Sequence, residues 1–241
     1  MAEWFADIKA QFILNFVKEN RWKLILNGLG VTLQITILAI ILGVIIGVVI
    51  ATIRSTYDLT NMEMRGPKKK VMAFLNTLCR IYLTVIRGTP VVIQLLIIFF
   101  VIFASSTNGV MSAVIAFGVN SGAYVAEIIR GGIMSIDKGQ MEAGRSLGFN
   151  YIETMRYIII PQAFKNVLPA LANEFIALLK ETSVAGYVAV VDLTRAGNII
   201  RGKTFSAFMP LFAVALIYLA MVMILTYFVG LLERRLRNSE R

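Results

Sequence analysis

An Asn-Glu pair, Asn173 and Glu174, stands in an apolar stretch with no basic residue one helical turn away: positions 170, 171, 177 and 178 are Ala, Leu, Ala and Leu. An ionised carboxylate only accepts hydrogen bonds, so in such surroundings it suits the ammonium or another basic group of a small solute. A hydrogen bond between two helices uses the same chemistry, and both readings stay open. Glu127 differs in having Arg130 one turn away, so those two can simply pair. Lys180 and Glu181 close the stretch that holds Glu174, either neutralising each other or forming a gate. Thr89, Gln94, Tyr124, Thr182 and Ser183 offer neutral hydrogen bonds that suit a zwitterion, although such groups also join helices. GNIIRGKT (197–204) satisfies the phosphate-loop pattern G-x-x-x-x-G-K-[ST]. A working loop of that kind follows a strand of a parallel sheet, whereas this one lies between apolar segments and reads as a chance match. The chain has no histidine and one cysteine, Cys79, which removes the commonest metal ligand and any intrachain disulfide. No catalytic residue and no metal site are expected.

The elements that must position these groups are set by an apolar composition. Of 241 residues 58% are hydrophobic and 16% charged, and the mean hydropathy is +0.75, too high for an ordinary soluble domain. Residues 24–53, 88–126 and 204–232 contain no Asp, Glu, Lys or Arg, and each run exceeds the roughly 20 apolar residues a bilayer core requires. ASSTNG (104–109) divides the middle run into two spans and a turn. The formal charge of +10 does not indicate nucleic acid, because the basic residues flank the spans. Residues 1–23 lack the pattern of a cleaved signal peptide, so the N-terminus is expected to be retained.

Along the chain, Phe5, Ile8, Phe12 and Phe16 recur at helical spacing among charged residues. Residues 1–26 therefore read as an amphipathic segment, lying on the membrane surface or packed on its own bundle. A first span covers residues 29–53 and includes Gly43 and Gly47, a GxxxG spacing too frequent in apolar segments to carry much alone. A polar loop follows (54–70). Residues 71–103 read as one long helix or a pair broken at RGTP (87–90), because Gly88 and Pro90 weaken a helix. Further spans are expected at 111–131, 161–179 and 207–232, with VVDLTRAGNIIRGK (190–203) as an external loop, solvated or partly re-entrant. Five spans place the two ends on opposite sides. Arg54, Arg65, Lys68, Lys69, Lys70, Arg130, Lys138, Arg145, Arg156, Lys165, Arg234, Arg235, Arg237 and Arg241 gather on one side, which is then cytoplasmic, with the N-terminus outside.

Between the third and fourth of these spans, Asp137 with Gln140 and Asn150 with Glu153 form two helix-start patterns, and Gly148 suits a left-handed helix end. The result is helix, tight turn, helix, with the second helix running to about Ile160 before Pro161. Met141, Ala143, Gly144 and Leu147 offer a low-relief surface between Glu142 and Arg145. On these signals alone the stretch is either a docking element or an ordinary interhelical loop.

EAGRSLGFNYIETMRYIIIP (142–161) resembles the EAA loop of ATP-binding-cassette (ABC) importer permeases. Glu142, Ala143, Gly148, Ile158 and Pro161 fall at motif positions, while Gly144 replaces the second alanine and Ile160 the leucine. RGTPVVIQL (87–95), AYVAEIIRGGIMSIDKGQMEAGRSLG (123–148) and PQAFKNVLPALANEFIALLKETSV (161–184) extend the resemblance over residues 27–235, toward the polar amino acid permease branch. The resemblance implies an all-α integral membrane protein with five transmembrane helices of the type I importer fold and a coupling loop at about 137–161, followed by a short tail at 236–241. It further implies a bacterial inner-membrane subunit that pairs with a second permease, the same chain or a relative. Its loop would dock into cytoplasmic ATPase subunits that bind ATP and Mg, through Glu142, Ala143, Gly144, Arg145, Gly148 and Pro161. An extracytoplasmic solute-binding protein would deliver the amino acid, a basic one being slightly favoured over glutamine or cystine. Glu174, Asn173, Thr89, Gln94, Tyr124, Thr182 and Ser183 are the candidate substrate contacts. An ion-gradient transporter using Glu127 and Glu174, or a scaffold that transports nothing, are the competing classes.

Overall fold

The structure, a computed structural model, describes residues 2–62, 64–105 and 108–238. Ser106 and Thr107 of the expected turn, the side chains of Phe5 and Arg237, and residues 239–241 with Arg241 lie outside what is described. Among the described residues the regular elements are all helical. They are α1 (Ala2–Phe12), α2 (Trp22–Thr60), α3 (Gly66–Gly88), α4 (Val91–Ile97), α5 (Gly109–Met134), α6 (Lys138–Ser146), α7 (Tyr151–Thr154), α8 (Ile160–Glu181), α9 (Leu193–Thr204) and α10 (Phe208–Asn238). Five-residue π turns, Ile13–Val17, Ile98–Ile102 and Met155–Ile159, follow α1, α4 and α7, and 3-10 segments cover Lys18–Asn20 and Thr182–Val188.

Four of these helices are long and apolar enough to cross a bilayer: α2, α3, α5 and the Phe208–Leu236 part of α10. At 1.5 Å per residue the 39 residues of α2 rise about 58 Å, well beyond a hydrocarbon core of about 30 Å. The polar stretch expected as a loop at 54–70 is therefore mostly helical, with only residues 61–65 between α2 and α3. Its polarity has another cause, since Arg54 and Asp58 face partners on α5. The break expected near RGTP is present. Thr89 sits in extended backbone (φ −122°, ψ 145°), as a residue before proline must, and separates α3 from α4.

The chain divides into two compact units. One comprises Met1–Ala39, Val91–Phe117 and Ile176–Tyr227. Its core joins Ile25, Leu193, Ala196, Ile200 and Val214, so most of the stretch expected as a loop at 190–203 is the packed helix α9. Leu193, Ala196, Gly197 and Ile200 follow the i, i+3, i+4, i+7 rule of a half-buried helix. Asp192 caps α9 by accepting from Thr194 N (3.0 Å) and Arg195 N (3.1 Å), and Leu193 N donates to Thr32 Oγ1 (3.0 Å). The phosphate-loop pattern 197–204 lies wholly within this helix. Its backbone N–H groups are spent in the helical ladder, and Gly197 packs on Val214. The N-terminal segment divides between its two readings. Asn15 is fully buried, accepts from Thr204 Oγ1 (2.8 Å) and donates to Ser206 Oγ (3.3 Å), while Trp4, Phe12, Ile13 and Val17 are exposed.

The other unit comprises Ile40–Pro90, Gly118–Phe175 and Phe228–Arg241. Here α2 meets α5 through two interleaved GxxxG spacings. A Cβ at Gly43 or Gly47 would lie 3.1 Å from Ser121 or 2.4 Å from Val125; one at Gly118 or Gly122 would lie 2.7 Å from Leu42 or 2.9 Å from Ile46. The spacing in α2, uninformative alone, gains its meaning from the matching one in α5. Beside it, Ile50, Cys79, Leu83, Ala123 and Ala126 form the apolar core, and the Tyr82 hydroxyl donates to the Val119 carbonyl.

Candidate coupling loop and transport site

The loop at 137–161, the candidate coupling element, is built by local chemistry. Asp137 caps α6, accepting from Gly139 N at 2.7 Å. Gln140, expected to complete that cap, instead accepts from Gln162 Nε2 at 3.2 Å. At the other end Phe149 N donates to Gly144 O (3.1 Å) and Gly148 N to Arg145 O (3.0 Å), the two bonds of a Schellman end, with Gly148 at φ +88°. One residue later a complete capping box starts α7: Glu153 N donates to Asn150 Oδ1 (3.1 Å) and Asn150 N to Glu153 Oε2 (2.8 Å). The turn is thus pinned from both sides within four residues.

Packing then joins the two helices. Gly144 is buried, and a Cβ there would lie 2.6 Å from Thr154 Cγ2 and 3.0 Å from Ile158 Cδ1. Thr154 is itself fully buried, its hydroxyl donating to Asn150 O at 3.0 Å. Gly144 therefore serves by close approach, while Glu142, Ala143, Arg145, Gly148 and Pro161 are exposed. Leu147 (74% exposed) and Ile152 (73%) add an apolar tip that sequence reasoning named only in part; Ile152 was missed. Tyr151 anchors α7 to α2 through Thr56 Oγ1 (3.4 Å), and burial pushes its hydroxyl up from the ordinary tyrosine value. The second helix does not stop at Pro161. The wide π turn Met155–Ile159 gives the proline ring room against the preceding carbonyl, and helix continues into α8.

The ionisable groups of the membrane segments are mostly engaged. Glu127 pairs with Arg130 (3.1 Å), as its spacing suggested, and its other oxygen pairs with Arg54 on α2. Arg130 also reaches Asp58 (3.4 Å). Bracketed by two guanidinium groups, Glu127 is poorly suited to bind a transported cation. Glu174 accepts from Ser121 Oγ at 2.8 Å, so the helix-to-helix bond exists; Ser121, not singled out from sequence, is fully buried. Asn173 is exposed and donates to Pro169 O (3.1 Å). Arg87 lies 5.5 Å from the centre of the Tyr124 ring, and the exposed Thr89 donates to Val85 O (2.8 Å). These four candidates, Thr89, Tyr124, Asn173 and Glu174, belong to one unit. Gln94, Thr182 and Ser183 belong to the other, where Gln94 and Thr182 are buried and Ser183 borders an open cavity of about 640 Å³ with Thr194, Arg195 and Asn198.

Among the described residues, then, helices long and apolar enough to cross a membrane carry a structured interhelical loop and polar groups. The sequence profile described as binding-protein-dependent transport system inner membrane component matches residues 69–238, and the chain belongs to that family. The arginine transport system permease protein ArtQ of Bacillus subtilis (strain 168) is 40% identical over 162 residues, covering 66% of this chain and 74% of the relative. The glutamine transport system permease protein GlnP of Escherichia coli (strain K12) is 39% identical over 166 residues, covering 67% and 76%. A crystal structure described as an amino acid ABC transporter with histidines superposes with a TM-score of 0.78 at 40% identity, over 91% of this chain and 98% of that one. The methionine transporter MetNI in an inward-facing form gives 0.75 over 89% and 97%, at 19% identity, a likeness of fold. The chain is a permease subunit and not an enzyme; ATP hydrolysis belongs to a separate subunit of such transporters.

Proposed function

We propose that this chain is the membrane-spanning subunit of an ATP-driven importer of polar amino acids, working by alternating access. The observation that carries the reading is the loop at 137–161. It is rigidly pinned at Gly148 and Asn150, packed through Gly144, and exposed at Glu142, Arg145, Leu147 and Ile152, as an element that docks into a groove of another protein requires. In this reading cytoplasmic ATPase subunits carry ATP and Mg, a second permease completes the pathway, and an extracytoplasmic binding protein delivers the solute. The resemblance to arginine and glutamine permeases supports an amino acid, and the Glu174 carboxylate favours a basic one.

The chain would cross the membrane five times, with α2, α3 continued by α4, α5, α8 and α10 as the crossings of residues 27–235, residues 1–26 as an amphipathic segment and 236–241 as a tail. Lys9, Lys18, Arg21, Lys23, Lys180, Arg195, Arg201 and Lys203 are the basic residues of the first unit, and the other sixteen of 24 belong to the unit that holds the loop. That bias supports a cytoplasmic loop and C-terminus, an outside N-terminus and an inner-membrane location. Purifying the intact complex, identifying its chains, and screening amino acids for stimulated ATPase activity and uptake in sealed vesicles tests the proposal. Uptake that continues after ATP depletion, or ATPase activity with no solute flux, would exclude it.

A further inference from the structure

Residues Arg54, Arg80 and Arg87 border one open cavity of about 440 Å³ in the second unit, together with Thr84, Gly88 and Glu127. Its charge is unbalanced. Both oxygens of Glu127 are taken, one by Arg54 and the other by Arg130, and Asp58 is bonded to Arg130. Among the described residues Arg80 and Arg87 take part in no ion pair, and both are exposed. The Nε of Arg54 is buried without a hydrogen-bond acceptor. Arg80, Thr84 and Arg87 recur at helical spacing on α3, opening one donor-rich stripe on a helix whose other exposed positions include Phe74, Leu78, Ile81 and Val85. Arg87 has the face of the Tyr124 ring beside it, but guanidinium groups without a counter-charge are costly on a membrane-crossing helix, and a fork of N–H donors matches the two oxygens of a carboxylate or a phosphodiester.

We propose that this cavity is an oxyanion site, in which Arg80, Arg87 and the Thr84 hydroxyl hold a carboxylate or phosphate group. The same chemistry is supplied by the phosphodiester of an anionic lipid or the carboxylate of an amino acid. The site stands whichever solute the importer carries. The assay is arginine-selective labelling of the purified complex with phenylglyoxal, read peptide by peptide, with exposed Arg201 as internal reference. One arm adds phosphatidylglycerol in mixed micelles against phosphatidylcholine alone; the other adds L-glutamine or L-histidine.

An occupied site slows labelling of Arg80 and Arg87 by about tenfold, the effect of a charge-assisted hydrogen bond, and leaves Arg201 unchanged. Protection by phosphatidylglycerol alone identifies a lipid site, and protection by an amino acid identifies a solute carboxylate. An R80Q/R87Q complex purified from the membrane should also retain less phosphatidylglycerol by native mass spectrometry if the occupant is lipid. Labelling at the Arg201 rate in every arm, with lipid retention equal in the variant, overturns the proposal.

Discussion

Replacing Gly144 by alanine adds one methyl group and should damage the loop through a single contact. The added carbon would lie 2.6 Å from Thr154 Cγ2, 2.9 Å from its Oγ1 and 3.0 Å from Ile158 Cδ1. Ile158 is the far end of a flexible side chain and can move. Thr154 is fully buried and tied to Asn150 O at 3.0 Å, so it cannot turn away without breaking that bond. Overpacking of this kind costs about 1–3 kcal/mol. Thr154→Ala alone loses the hydrogen bond and a methyl, about 1–2 kcal/mol, but removes both atoms that Gly144→Ala would strike. In the Thr154→Ala background the glycine substitution should therefore be nearly neutral, a coupling of at least about 1 kcal/mol. The four proteins are compared as assembled complexes by melting temperature at one scan rate, where about 2–4 °C corresponds to each kcal/mol for a chain of this size. Solute-stimulated ATPase activity is measured in parallel and should fall in proportion to each melting shift, with no further fall when Gly144→Ala is added to Thr154→Ala. Gly144→Ala behaving as wild type, or costing the same with and without Thr154, would refute the packing argument. The reciprocal contact would also explain why glycine stands where the EAA motif has alanine.

Other expectations follow from the same geometry. Gly148→Leu forces a branched side chain into a left-handed backbone at φ +88°, at a cost of about 1–2 kcal/mol, and should abolish coupled uptake while the protein still reaches the membrane. Gly47→Leu places its side chain against Val125, where even a Cβ lies at 2.4 Å, and should lower the melting temperature of the complex by several degrees; an unchanged value would show that α2 and α5 do not depend on this approach. Glu174→Gln keeps an acceptor for Ser121 but removes the charge, so it should weaken the amino acid dependence of ATPase activity with little effect on assembly, and an unaltered dependence would remove Glu174 from the pathway. Lys203→Ala should leave ATPase activity of the complex intact, because Lys203 sits on the helix α9 and not in a phosphate loop.

The parts legible in the sequence are those decided by neighbours along the chain. Asn150 with Glu153 and the glycine at 148 specify the loop through bonds spanning a few residues, and each forms as its spacing required. The Glu127–Arg130 pair is likewise local. What was not legible depends on partners far away in sequence. Arg54 and Asp58 look like loop residues until α5 supplies Glu127 and Arg130, which let α2 continue as helix through a polar stretch. Gly43 and Gly47 needed Gly118 and Gly122 to acquire meaning. The helix α9 is a different kind of miss. Its 193, 196, 197, 200 pattern is present in the sequence, but Arg195, Arg201 and Lys203 on the exposed face give the stretch the charge density of a solvated loop. Ser121 gave no signal at all, being one hydroxyl among many.

The π turn at Met155–Ile159 lets α7 run into α8 with no flexible joint between them. From Tyr151 to Glu174 this is an axial reach of about 35 Å along one uninterrupted run of helix. In the proposed reading the loop is the foot of a push rod, with the carboxylate held by Ser121 on its shaft. A displacement at the foot cannot be absorbed by slack in a linker; it either carries the shaft with it or bends the rod where Pro169 has removed a rung.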